Sequence, residues 1–234
     1  KRRDIEREAI LIDDAPVRQL RGFPGRLSAV LCAGLSLYAL YWVVAIVQPQ
    51  VYRVSFLLLA LVSSFLLYPG VPGGRARVTT LDWLLVAASL VALGWPLADF
   101  DRFVYRAAEP TVTDLVCGTL AVLLVLEATR RTVGWILPAA AVAFVLYAYY
   151  GPLLDLVGLD LFAHRGYALD RLVGSLYMTL EGMFGVPLDV AATYIVLFTI
   201  YGAVLQSAGA GTFFLDWAMA AMGRTGGGAG PGRT

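Results

Sequence analysis

The chain contains no asparagine, one histidine, two cysteines and a single lysine among 234 residues. Each shortage excludes something. Without asparagine there is no N-glycosylation acceptor. One histidine builds no metal site by itself, and no HExxH, GxSxG or CxxC occurs. Cys32 and Cys117 lie in separate apolar runs and read as small hydrophobes, not as a disulfide or a metal pair. Charge is scarce as well: 15% of residues are Asp, Glu, Lys or Arg, where a soluble domain carries about 25%. A net charge of +1 offers nucleic acid no basic patch. "GAG" at 209–211 has no βαβ context for a dinucleotide, and the Gly-rich end lacks the Lys-Ser/Thr of a phosphate loop. No cleavable signal peptide is expected, because the charged start runs to Arg26 and the first apolar run is too long.

Long apolar runs take the place of these features. Mean hydropathy is +0.73, with 59% hydrophobic residues. Several runs approach the ~20 residues that a spanning helix needs. They are continuously apolar and do not alternate, which excludes a β-barrel. The fold class is all-α: a polytopic transmembrane helical protein with about six spans plus interfacial or re-entrant helices. The spans are expected near Leu27–Val47, Val51–Tyr68, Leu81–Leu97, Val112–Leu126, Val133–Tyr150 and Leu188–Ser207. Pro49, "PGVPGG" and "GP" at 151–152 supply the stops. Residues 1–26 form a basic tail, either a short surface helix or a disordered arm. Residues 153–187 mix apolar positions with His164, Arg165, Asp170, Arg171 and Glu181, and read as an interfacial or re-entrant segment. "AGAGTFFLDWAMAAMG" reads as a closing amphipathic helix.

Placing the N-terminus in the cytoplasm puts thirteen Lys and Arg inside against five outside. The tail supplies most of that bias; without it the vote is six to five.

Ionisable residues near lipid need a reason to be there. Asp114 and Glu127 are thirteen residues apart on one predicted helix, about 20 Å, less than the ~30 Å hydrocarbon core. Asp114 follows "EPTVT", where a carboxylate caps a helix start. Glu127 stands three and four residues before Arg130 and Arg131, so all three share a flank and pair if the helix continues. They read either as a simple turn with topogenic arginines or as a docking element between two helical modules. In "TLEGMFGVPLDV", Gly182, Gly185 and Pro187 break the helix, and Glu181 is a cavity candidate. His164 reads as a surface residue, and Gln206 as an interhelical hydrogen-bond partner. No catalytic residue and no metal ligand is assigned.

"LEATRRTVGW", "LYAYYGP", "AHRGYALDRL", "YMTLEGMFGVPL", "AATYIVLFTIYGAVLQSAGAGTFFLDWA" and "GRTGG" occur in this order. Together they resemble the permease of a tripartite ATP-independent periplasmic (TRAP) transporter. More narrowly they resemble the fused four-plus-twelve-span type that works with TAXI-type binding proteins. "RVSFLLLALVSSFLLYP" and "TVTDLVCGTLAVLLVLEATRR" resemble its small four-helix module. The resemblance covers nearly all of residues 28–228. It implies a small scaffold module over 27–129 and the start of the large transport module over 130–234. It also implies import of organic acids or related solutes, driven by a Na+ or H+ gradient, with a periplasmic substrate-binding protein. An elevator motion and residence in the bacterial or archaeal cytoplasmic (inner) membrane follow too. No cofactor is expected beyond the coupling ion. Family members continue past "GRxxGG" into hairpins that carry the transport sites, so this sequence reads as an N-terminal fragment and no transport-site residue is carried over. Glu127, Arg130 and Arg131 then fall at the seam of the two modules. Two rival readings are a membrane scaffold without transport activity and a membrane-embedded enzyme using Asp114, Glu127 and Glu181.

Overall fold

The structure is a computed structural model that describes residues 17, 18, 20, 22–45, 47–70, 77–156 and 164–223. Every regular element among them is helical. In chain order they are α1 (Phe23–Val44), α2 (Pro49–Leu67), α3 (Thr80–Ala98), the short α4 (Phe100–Tyr105), α5 (Val112–Val133), α6 (Ile136–Leu156), α7 (Leu169–Met178), α8 (Val186–Ser207) and α9 (Ala210–Gly223). Five of these, α1, α2, α3, α5 and α8, are long and apolar enough to cross a membrane. The apolar part of α6, Ile136–Pro152, is shorter, and its backbone departs from helix at Tyr150, just before Pro152. The six expected apolar segments are therefore all helical, with five of full spanning length. Residues 1–16 and, after Gly223, the "GRTGG" stretch lie outside the described residues.

The helix boundaries have local causes. Pro49 sits in the first turn of α2, where its missing N–H is not needed. Helices α3 and α5 each start with a reciprocal capping box, Thr79 with Asp82 and Thr111 with Asp114. Helix α5 runs past the expected end at Leu126 to Val133 and stops at Gly134, whose φ of 93° favours glycine. Two further turns are available because Glu127 pairs with both arginines, so charge here extends the helix.

Helices α2, α3 and α5 form the core, antiparallel from one to the next, with Leu61, Phe65, Leu66, Val86, Leu93 and Leu124 buried between them. Helix α1 packs on α2 through Tyr38 and Trp42, and the Trp42 ring stacks on Tyr52 at 4.2 Å. Much of α1, α6 and α8 exposes apolar side chains such as Leu37, Phe144 and Phe198, as lipid-facing helices do.

Helix α7 has ten residues, about 15 Å, too short to span. It lies against α5, where Gly118 leaves room for Val173 and Tyr177; a Cβ on Gly118 would stand 2.6 Å from Val173 Cγ1. Tyr177 is fully buried, edge-on to Phe103, and burial raises its phenol pKa. Its hydroxyl donates to the Ala92 carbonyl. That carbonyl is four residues before Pro96, so the helix itself offers it no N–H. The tyrosine supplies the donor that the proline removed.

Helix α8 contains one π turn, Ala191–Ile195. Tyr52 Oη donates to the Ala192 carbonyl at 2.6 Å, fixing this wide turn to α2.

Candidate functional site

The bonds between helix ends sort the ionic groups into two sets at opposite ends of the bundle. At the first end, Glu127 Oε1 and Oε2 accept from Arg130 Nη2 and Nε, both at 2.8 Å. Oε1 also accepts from Arg131 Nε at 2.7 Å. Arg131 reaches on to Asp82 Oδ1 at 2.7 Å, and Arg18 meets Asp82 Oδ2 at 2.8 Å. The chain of charges is thus Arg130, Glu127, Arg131, Asp82, Arg18, three cations and two anions. The Arg131 and Asp82 side chains are 0% and 1% exposed. Such burial is tolerated only with dense pairing.

The same arginines cap α2. Its last carbonyls, with those just beyond it, need donors. Arg18 donates to Leu66 O, Arg131 to Tyr68 O and Arg130 to Gly70 O. Asp82 complements the start of α3, and Arg130 and Arg131 the end of α5. One cluster therefore neutralises three helix ends. The expected sharing of one flank by Glu127, Arg130 and Arg131 is present. The sequence reading missed Asp82 and Arg18. "TTLD" at 79–82 carries the same T-x-x-D signal as "TVTD" at 111–114, and would have marked Asp82. Nothing local marks Arg18, which comes from the basic tail yet is only 8% exposed.

At the opposite end Asp114 fills the capping role and more. It accepts from Trp95 Nε1 at 2.8 Å and takes a two-pronged contact from Arg106, at 3.0 and 3.1 Å. The bond to Asp114 pushes the Arg106 pKa above its ordinary value.

The turn with Gly182, Gly185 and Pro187 lies at this end, held by α2. Gln50 Nε2 donates to Met178 O, Arg53 Nη1 to Phe184 O at 2.9 Å, and Arg53 Nε pairs with Asp189 at 2.9 Å. Gly182 has no room for a side chain: a Cβ would stand 2.3 Å from Leu176 O. Pro187 occupies the first turn of α8. Glu181 is exposed at the turn, its backbone N–H bonded to Thr179 Oγ1. An open cleft of about 470 Å³ lies nearby, between Ala107 and Pro110 on one side and Asp170, Arg171 and Ser175 of α7 on the other.

His164 folds its ring over Gly151 and edge-on to Tyr147. Nδ1 accepts from the Gly166 N–H, so Nε2 carries the proton and donates to Tyr147 O. It is half-buried and latches the loop onto α6. Gln206 is exposed and makes no side-chain hydrogen bond among the described residues, so the interhelical bond expected of it is not seen there. Among the described residues no three His, Cys, Asp or Glu side chains gather as metal ligands. Glu127 lies at one end of the bundle and Asp114 and Glu181 at the other, so these three carboxylates do not converge.

These features define a polytopic α-helical membrane protein whose ionic groups tie helix ends together. Residues 120–231 match the family model described as Tripartite ATP-independent periplasmic transporter, DctM component. The chain matches no curated protein and no solved structure. The matched stretch begins inside α5, includes the Glu127–Arg131 cluster, and runs through α9.

Proposed function

We propose that the chain is a permease component of a TRAP transporter, of the fused TAXI-associated type. It imports organic acids or related small solutes, uses a Na+ or H+ gradient and receives solute from a periplasmic binding protein. The observation that carries this reading is the family match over residues 120–231, on a helix continuous with the four-helix bundle. Residues 27–129 act as the scaffold module and those from 130 as the start of the transport module. Glu127, Arg130 and Arg131 serve the junction, and Gly182, Gly185 and Pro187 shape a turn that α2 holds in place. The N-terminus lies in the cytoplasm and the protein in the inner membrane. The end with Arg106, Asp114 and the α7 cleft then faces the periplasm, where a binding protein docks.

The test is uptake into proteoliposomes that hold the full-length permease, with the cognate binding protein outside. Labelled carboxylate should accumulate only when both the binding protein and an inward cation gradient are present. Accumulation independent of both overturns the reading.

A further inference from the structure

Between α5 and α6 runs a groove of about 320 Å³. Its walls are apolar: Leu123 and Leu126 from α5, Pro138, Ala139 and Val142 from α6. Its mouth is not. Arg130 and Glu127 stand there, and Trp135 lies against the Arg130 guanidinium, 5.2 Å from ring centroid to Cζ. From Arg130 to Leu123 and from Trp135 to Val142 the groove runs seven residues along each helix, about 10 Å. A cationic mouth beside an interfacial tryptophan, opening into an apolar cleft between spans, has the profile of one phospholipid: headgroup at the boundary, acyl chain inward.

The charge inventory settles the sign of the headgroup. The first-end cluster holds three arginines and two carboxylates, a surplus of one positive charge. The Arg131 and Arg18 side chains are 0% and 4% exposed, whereas those of Arg130 and Glu127 at the mouth are 20% and 26% exposed. Of the three arginines in the cluster, Arg130 is the one that lines the groove. Its Nε and Nη2 are engaged by Glu127 and Gly70 O, while Nη1 has no hydrogen bond to any described residue. Both Glu127 oxygens already accept from arginines, and Glu127 is shared between Arg130 and Arg131, so one carboxylate stands against two guanidinium groups.

We propose that this groove is a binding site for one anionic glycerophospholipid, its phosphate on Arg130 and Trp135 and one acyl chain between α5 and α6. The bound lipid fills the seam between the helices that flank Gly134.

The test uses the full chain in phosphatidylcholine nanodiscs doped with phosphatidylglycerol that carries a photoreactive diazirine on its acyl chain. Cross-linked peptides are mapped by mass spectrometry, with the exposed face of α8 (Tyr194, Phe198, Tyr201) as internal reference. One arginine at the headgroup level corresponds to about fivefold preference, so residues 123–142 should label about fivefold above the reference. Arg130→Gln should bring labelling down to that reference. Ala139 is exposed, so Ala139→Phe fills the groove while leaving the ionic cluster intact. It should abolish the excess labelling too, and it carries the test if Arg130→Gln fails to fold. A diazirine diacylglycerol with the same chain and no phosphate should label groove and reference alike. Equal labelling of groove and α8 by phosphatidylglycerol overturns the proposal. So does excess labelling that survives Ala139→Phe, or an excess matched by the diacylglycerol.

Discussion

Asp82 accepts from two arginines at once, each oxygen on a different one, and from Thr79 as well. Removing its charge strands two buried guanidinium groups. Breaking a buried pair by deleting one partner costs about 3–5 kcal/mol. Asp82→Asn is therefore expected to lower the melting temperature of the detergent-purified protein strongly. Glu127→Gln should cost less, because Arg131 keeps Asp82 and Tyr68 O and Arg130 keeps Gly70 O. A larger loss for Glu127→Gln than for Asp82→Asn would show that the cluster is centred on Glu127 instead. Residue-level detail was half legible in the sequence. The i to i+3 and i+4 spacing of Glu127, Arg130 and Arg131 needs only a helix to become a contact. Asp82 meets Arg131 across 49 residues and Arg18 across 64, and no local pattern encodes either meeting.

Two helices, α3 and α8, are irregular where a tyrosine hydroxyl compensates. Pro96 leaves the Ala92 carbonyl without a helical donor, and Tyr177 Oη fills the gap. Tyr177→Phe should cost about 1–3 kcal/mol, the price of an unsatisfied buried carbonyl. In a Pro96→Ala background the helix regains its N–H, and the same substitution should cost clearly less. Equal costs in both backgrounds, read by thermal unfolding, would disconnect the tyrosine from the proline. Gly118 makes the neighbouring contact: Gly118→Leu has to push α7 off α5, with an overpacking cost of about 1–3 kcal/mol. The displacement should raise maleimide labelling of Cys117, buried one residue away. Unchanged Cys117 reactivity in a folded Gly118→Leu protein would speak against that contact. Element existence was readable from apolar run length, since each expected segment is helical. The end of α5 was misplaced by two turns, because hydropathy stops at Leu126 whereas the helix continues through charges that neutralise one another.

For the molecule as a whole, the two ionic ends give the proposed orientation a direct test. With the N-terminus inside, a cysteine at Arg77 should react with a membrane-impermeant maleimide only from the cytoplasmic side, and one at Glu181 only from outside. Labelling of both from the same side would refute the arrangement of α3 through α7 between them. Reversing Arg130 and Arg131 to Glu together is expected, on the proposed function, to disturb insertion or yield more than solute KM, because these residues tie helix ends. Normal yield and topology with a raised KM would reverse that assignment. Whole-molecule architecture was the most legible level, since twenty-residue apolar runs leave few alternatives to spanning helices. The grip of α2 on the 178–189 turn was not legible. It joins Gln50 and Arg53 to backbone carbonyls of residues far along the chain, which composition and period do not report.

The π turn in α8 has a rotational consequence. A regular helix advances about 100° per residue, so one residue taken up in a wider turn shifts the angular phase of everything after it by about that amount. Downstream of Ile195, the side that would have continued against α2 is turned away, and Phe198 and Tyr201 point outward at 72% and 62% exposure. Deleting Thr193 would restore a regular winding and rotate that half of α8 back by about 100°. Tyr52 therefore fixes which surface the second half of the helix, and α9 beyond it, turns toward its surroundings.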